Sequence, residues 1–101
     1  MPIKTYREAI NEALRQSMRE DPTVIVLGED VHRLRGGTAG ATKGVSELFP
    51  ERLIGTPICE NGFTGMAIGA ALNGLRPVVE IMYPDFVLVA ADQLFNQAGK
   101  V

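Results

Sequence analysis

The chain has 101 residues, which is enough for one small domain with a single hydrophobic core. Its composition is 46% hydrophobic and 22% charged, as in globular proteins and unlike disordered or collagen-like chains. The net charge of −2 gives no electrostatic reason to expect binding to nucleic acid or to anionic lipid. One cysteine and one histidine exclude an internal disulfide and a zinc cluster built from these residue types.

Targeting and membrane segments are not apparent in the sequence. The most apolar runs, 66–72 and 87–91, are far shorter than the roughly 20 residues that a bilayer requires. The N-terminus moves directly into an amphipathic pattern, without the apolar core of a signal peptide. We therefore expect a protein of the cytoplasm or of an organelle matrix.

The first predicted element is an amphipathic helix that begins after Thr5. Thr5 and Glu8 have the spacing of a capping box, and Asp21 ends the helix because the residue before a proline is pushed out of the helical region. Apolar residues recur at helical spacing on one face, namely Tyr6, Ile10, Ala13, Leu14 and Met18.

A β-branched run over 23–27 follows and shows no alternation, which is typical of a strand covered on both faces in a parallel sheet. Gly28-Glu29-Asp30 ends this strand. Residues 32–44 are rich in glycine and small residues and predict a loop. This loop is not a phosphate-binding loop of the Walker type, because Lys43 lacks the required glycine before it and the hydroxyl residue after it.

The remaining elements alternate between helix and strand. They are a short helix within 42–49, a strand over 52–56, a glycine-rich helix over 61–75, a strand over 77–82, and a last helix that Asp85 caps and Gly99 closes. This order predicts an α/β fold in which a parallel sheet is joined by right-handed crossover helices. All three strands are expected to be buried, and so small a sheet suggests a piece of a longer protein.

Candidate functional residues follow each strand. Glu29-Asp30 follows the first strand, residues 58–60 follow the second, and residues 82–86 follow the third. The carboxyl ends of parallel strands meet at one edge, where open α/β sheets bind their ligands. Carboxylates, an aliphatic side chain and an aromatic ring at this edge would suit a flat, partly apolar heterocycle with a hydrogen-bonding side.

The most specific motif begins at Glu60. It consists of a glutamate, four residues, Gly65, a hydrophobic residue, two residues and Gly69, and it is similar to the pyrimidine-side motif of thiamine diphosphate enzymes. Other segments agree with one family of these enzymes in the same order: 5–9, 28–31, 42–44, 56–58, 74–78, 92–93 and 96–97. The chain thus resembles the N-terminal part of the beta subunit of the 2-oxo acid dehydrogenase first component (pyruvate, branched-chain or acetoin type).

The resemblance implies a transketolase-like pyrimidine-binding domain and a role for Glu60 as the catalytic glutamate. In the family this residue hydrogen-bonds a ring nitrogen of the aminopyrimidine and so activates thiamine diphosphate for decarboxylation and acyl transfer to a lipoyl group. Four further residues match cofactor-binding positions around the pyrimidine, namely Glu29, Ile58, Met82 and Phe86. Cys59 and Asn61 depart from the residues expected beside the glutamate.

The resemblance also implies partners. Residues 1–101 would be the N-terminal portion of the pyrimidine-binding domain, without the rest of that domain and without the C-terminal domain. An alpha subunit would hold the diphosphate and magnesium, so no metal site is expected in this chain. A second beta subunit would complete a heterotetramer, and a lipoyl acyltransferase component would accept the acyl group.

Structural explanations compete with the functional ones. Glu60 could simply favour a helix N-terminus, and Glu29-Asp30 could form a solvated turn. Phe86 alone would be explained as a core residue, and Cys59 as a small buried side chain. The glycines of the third helix could serve close packing on the sheet or a subunit interface. The alternative to an enzyme subunit is a non-catalytic α/β interaction module or an inactive truncated subunit.

Overall fold

A three-stranded parallel sheet forms the centre of the computed structural model, which describes residues 3–33, 36–37 and 39–100. The strands are β1 (Val24–Glu29), β2 (Leu53–Thr56) and β3 (Arg76–Glu80). The α-helices are α1 (Tyr6–Glu20), α2 (Val45–Leu48) and α3 (Glu60–Leu72). The strand order is β2-β1-β3, and both pairs are parallel, which confirms the predicted α/β fold.

The two faces of β1 form two hydrophobic clusters, because successive side chains of a strand point to opposite faces. One face packs under α1 and α2, in a cluster formed by Leu14, Met18, Val24, Val26, Val31, Val45 and Leu53. The other face packs under α3, where Ile25 and Leu27 meet Ala67. Every residue of β1 is buried, as the unbroken apolar run predicts.

The prediction that all three strands are buried is wrong for β2 and β3. Both are outer strands of the sheet, and both carry exposed apolar residues such as Ile54 and Val78. β-branched side chains favour strands of either kind, so composition does not distinguish a central strand from an edge.

Helix α1 begins as the capping box predicts. The Glu8 amide donates to Thr5 Oγ1 at 3.1 Å, and the Thr5 amide donates to Glu8 Oε2 at 3.0 Å. Only Leu14 and Met18 of the predicted apolar face are buried, whereas Tyr6 and Ile10 are exposed. The N-terminal half of α1 therefore extends beyond the core.

The loop after β1 is held by α1 rather than by the sheet. Asn11 Nδ2 donates to the carbonyl oxygens of Ala41 and Lys43, both at 2.9 Å, and Arg15 Nε donates to Asn11 Oδ1 at 2.7 Å. The buried Thr42 hydroxyl in turn donates to the Val31 carbonyl at 3.0 Å. The loop prediction thus holds for the described part of 32–44; residues 34, 35 and 38 lie outside the described residues.

Asn11→Ala is expected to lower the free energy of unfolding by about 1–2 kcal/mol. Two hydrogen bonds to backbone carbonyls are lost, and the higher helix propensity of alanine offsets only part of that loss. Urea unfolding of the chain, followed by far-ultraviolet circular dichroism, measures the change. Asn73→Ala is the matched control, since the Asn73 side chain at the C-cap of α3 donates only to the Gly69 carbonyl, as far as the described residues show, and its loss should change stability by a few tenths of a kcal/mol. Equal losses in both variants would contradict the assigned role of Asn11.

The C-terminal segment differs from the single helix predicted after Asp85. A 3-10 helix (Pro84–Val87) comes first, with Tyr83 rather than Asp85 at its N-cap, and a π-helix (Asp92–Ala98) follows. Pro84 explains the earlier start, because its fixed φ suits the first helical position. Gly99 does not close the helix, since its φ of −72° and ψ of −20° are helical.

The described residues include no helix with the length and apolar character needed to cross a bilayer.

Candidate active site

Each strand ends in a polar residue at the same edge of the sheet. These residues are Glu29 of β1, Thr56 of β2 and Glu80 of β3. Glu29 pairs in register with Thr56, and Gly28 pairs in register with Glu80. The parallel topology therefore brings together the three chain segments that the sequence predicts to meet.

Glu29 and Glu60 come into contact on the α3 side of this edge. Glu29 lies two residues after Leu27 on β1, so its side chain is on the same face of the sheet as Leu27, the face that α3 covers. The first residue of α3 is Glu60. Both residues are buried, with 6% of Glu29 and 5% of Glu60 exposed. Neither oxygen of Glu29 has a hydrogen-bond donor among the described residues. The two glutamates can therefore bond each other only when they share a proton.

The pKa of Glu29 is raised above its ordinary value. Burial is the main cause; the neighbouring Glu60 carboxyl adds to it, because a shared proton would be hydrogen-bonded and two negative charges would repel, and the charges of Asp30 and Glu80 follow. Glu60 stands at the start of α3, where the helix dipole is positive. Burial and the acidic neighbours of Glu29 thus favour its protonated form.

Apolar and aromatic side chains lie in the segments that flank the carboxyl pair. Ile58, in the connection from β2 to α3, is 79% exposed and offers an aliphatic surface two residues before Glu60. Met82 and Phe86 follow β3, on the other side of β1, and both are half-buried. The Phe86 ring meets Tyr83 edge-on, with 5.7 Å between the ring centroids. Phe86 is therefore not a fully buried core residue.

Glu29 and Asp30 have different environments although they are adjacent. Asp30 has a positive φ of 58°, is exposed, and pairs with Arg33 at 2.8 Å, which is the geometry of a solvated turn. Glu29 is buried and does not fit that explanation. The prediction of a buried Cys59 is wrong, because the thiol is exposed at the N-cap of α3.

The glycines of α3 differ in what they contact. A Cβ on Gly65 would lie 3.0 Å from the Gln93 side chain, so this glycine allows the π-helix to approach α3 closely. A Cβ on Gly69 would meet nothing within 4 Å among the described residues. Gly65 thus serves packing within the chain, and the subunit interface stays a prediction for the face that carries Gly69.

Thr56 belongs to this edge although the sequence pattern does not indicate it. Its hydroxyl is buried and has no hydrogen-bond partner in the described part of the chain, next to the register position of Glu29. Two sequence signals include it, namely its place as the last residue of a predicted strand and the family segment 56–58, but neither assigns it a role, since threonine is common in strands for reasons unrelated to function.

A buried carboxyl pair at the carboxyl edge of a parallel sheet places the chain among α/β domains that bind a ligand at the ends of their strands. The family model described as "Transketolase, pyrimidine binding domain" matches residues 3–101. The chain belongs to this family.

Curated relatives agree with the assignment. The chain is 54% identical over 93 residues to the pyruvate dehydrogenase E1 component subunit beta-4, chloroplastic, of Oryza sativa subsp. japonica, and this match covers 91% of the chain and 23% of the relative. It is 46% identical to the acetoin:2,6-dichlorophenolindophenol oxidoreductase subunit beta of Cupriavidus necator, over 91% of the chain and 30% of the relative.

A third relative has a different substrate in its name. The chain is 42% identical to the 2-oxoisovalerate dehydrogenase subunit beta of Bacillus subtilis, over 100% of the chain and 31% of the relative. The chain therefore spans less than a third of the length of these relatives.

Proposed function

We propose that the chain is the N-terminal portion of the pyrimidine-binding domain of a 2-oxo acid dehydrogenase beta subunit. Family membership and the names of the relatives support the class of enzyme. The observation that carries the proposal is the contact between two buried carboxyl groups, Glu60 at the start of α3 and Glu29 at the end of β1.

The residues at this edge suit the aminopyrimidine of thiamine diphosphate. Glu60 would hydrogen-bond a ring nitrogen, and the unpartnered oxygens of Glu29 leave acceptors for a nearby donor. Ile58, Met82 and Phe86 would pack against the ring. When bound, thiamine diphosphate supplies the nucleophilic carbon that attacks the 2-oxo acid so that carbon dioxide can leave.

Glu29 would act as the proton reserve of the pair. Its raised pKa favours the protonated form, while Glu60 lies at the positive end of a helix dipole. A proton on Glu29 can therefore be donated to Glu60 when the Glu60 carboxylate loses its hydrogen bond to the ring. In this role Glu29 regulates the charge of the catalytic group without contacting the reacting carbon.

The proposed subunit requires partners. An alpha subunit would bind the diphosphate and magnesium, a second beta subunit would complete a heterotetramer, and a lipoyl acyltransferase component would receive the acyl group. The relatives suggest a bacterial cytoplasm or an organelle matrix as the compartment, since one is named as chloroplastic and others are bacterial.

A non-catalytic interaction module explains the site less well. A module that uses its glycines and carboxylates for packing would gain nothing from a buried carboxylate that has no donor in the described part of the chain, since such a group costs free energy. Active sites typically retain groups that serve function although those groups lower the stability of the fold.

Thiamine diphosphate is expected to bind weakly to the chain alone and tightly to the assembled alpha–beta enzyme. The described residues offer a surface for the pyrimidine, whereas the diphosphate would be held by the partner. Calorimetric titration with thiamine diphosphate and magnesium measures both affinities, and the chain alone should show negligible decarboxylation. Tight one-to-one binding by the chain alone would show that the site is assigned wrongly.

A further inference from the structure

The Thr56 hydroxyl is the third polar group on the α3 side of the sheet edge. Thr56 is the register partner of Glu29 on the neighbouring strand, and in-register side chains of parallel strands lie on the same face. Ile54 and Thr56 therefore face α3, as Leu27 and Glu29 do. Thr56 Oγ1 is inaccessible to solvent and has no hydrogen-bond partner among the described residues.

The Thr56 hydroxyl and the Glu29 carboxylate are neighbours in register but are not hydrogen-bonded to each other. Among the described residues, neither Glu29 oxygen has a donor within hydrogen-bond distance. Buried polar groups that do not reach each other are commonly joined by an ordered water, which makes two to four hydrogen bonds. The Thr56 hydroxyl can accept from or donate to such a water, and the carboxylate can accept from it.

We propose that Thr56 and Glu29 hold one water molecule between them, and that this bridge makes Thr56 a positioning residue of the carboxyl pair. The proposal rests on the role assigned to the pair above and adds a residue to it. The bridge supplies the donor that the ionised form of Glu29 lacks among the described residues.

The bridge would counteract the groups that disfavour the charge on Glu29. Those groups are all acidic: Asp30 directly after β1, Glu60 on α3 and Glu80 on β3. A hydrogen bond to the ionised carboxylate lowers its pKa, whereas burial and acidic neighbours raise it. Thr56 would thus keep Glu29 able to release its proton to Glu60.

The test measures the pKa of Glu29 in the assembled enzyme without cofactor. The infrared carboxyl band of protonated Glu29 is followed against pH and identified by its loss in Glu29→Gln. Thr56→Val removes the hydroxyl at constant shape and should raise the pKa of Glu29 by about one pH unit. Thr56→Ser keeps the hydroxyl and should restore the wild-type pKa.

Thr64→Val is the matched control. Thr64 also has a buried hydroxyl for which the described residues offer no partner, and it lies one turn after Glu60 on α3. Its removal should leave the pKa of Glu29 unchanged. An unchanged pKa in Thr56→Val, or an equal rise in Thr64→Val, would overturn the proposal. If Thr56→Val does not assemble, Thr56→Ala removes the same group and should raise the pKa as well; an unchanged pKa there also overturns the bridge.

This measurement is independent of catalysis. The spectra are recorded without cofactor, so the bridge can be refuted while Glu60 retains its assigned role. Conversely, a normal turnover in Glu60→Gln would refute the proposed function and leave the pKa result for Thr56 intact.

Discussion

Glu60→Gln in the beta subunit, assembled with its alpha partner, is expected to lower turnover by about 10²–10³. Glutamine has the size of glutamate and still forms a hydrogen bond, but it cannot supply the negative charge that stabilises a protonated aminopyrimidine. Because this contact strengthens as charge develops, its loss should reduce the rate more than the affinity for cofactor. Assembly should be retained, since the contacts of α3 with the sheet do not change.

The measurement combines steady-state decarboxylation with hydrogen–deuterium exchange at the thiazolium carbon. Both rates should fall together in Glu60→Gln. Glu51→Gln is the control, because Glu51 is an exposed glutamate in the turn before β2 and should leave both rates unchanged. Normal exchange with reduced turnover would mean that Glu60 does not activate the cofactor, and two normal rates would refute the assignment of the site.

Glu29→Gln is expected to stabilise the folded chain at pH 8 by about 1–3 kcal/mol, because an unpartnered charge costs more to bury than a neutral amide. Glutamine removes a carboxylate whose oxygens have no donor among the described residues and whose neighbour Glu60 is also acidic. The same substitution should impair catalysis, because the proton reserve of the pair is lost.

The stabilisation by Glu29→Gln should depend on pH with a definite sign. The folded chain binds the Glu29 proton more tightly than the unfolded chain, whose carboxyl has a pKa near 4.5. The wild-type chain therefore loses stability as the pH rises from about 4.5 through the raised pKa of folded Glu29. Below that window the carboxyl is neutral in both states, and the advantage of the variant disappears.

Urea unfolding of the wild-type chain and of Glu29→Gln at a series of pH values measures this difference. Glu51→Gln should show a difference from wild type that is small and nearly constant across the same range, since its side chain is exposed. If the difference in the free energy of unfolding between wild type and Glu29→Gln grew toward acidic pH, the assigned environment of Glu29 would be contradicted.

The sequence predicts the parallel sheet well, because each helix and strand is determined by residues within or next to it. The β-branched run before Glu29, the helical spacing of α1 and the glycine after α3 each determine one element, and their alternation determines the topology. The position of a strand within the sheet is not determined by the residues of that strand. Ile54 and Val78 are exposed because of the strands beside them, and their own residue types carry no information about that.

The site is predictable only in part, because some of its features follow from the topology and others depend on contacts between elements. Convergence of Glu29 and Glu60 at one edge follows from the parallel topology, whereas their direct contact depends on α3 beginning at Glu60 itself. The exposure of Cys59 and the burial of the Thr56 hydroxyl depend on side-chain packing across elements. Periodicity also fails at the C-terminal segment, because apolar spacing alone does not separate an α-helix from a 3-10 helix followed by a π-helix.

The exposed thiol at the N-cap of α3 gives experimental access to the carboxyl pair. Cys59 is the single cysteine of the 101 residues, so a thiol-directed label attaches at one known position in this chain. That position is adjacent to Glu60. A small fluorinated label on Cys59 would therefore report by nuclear magnetic resonance when the neighbouring carboxyl group changes its charge, in the same sample that is used for activity.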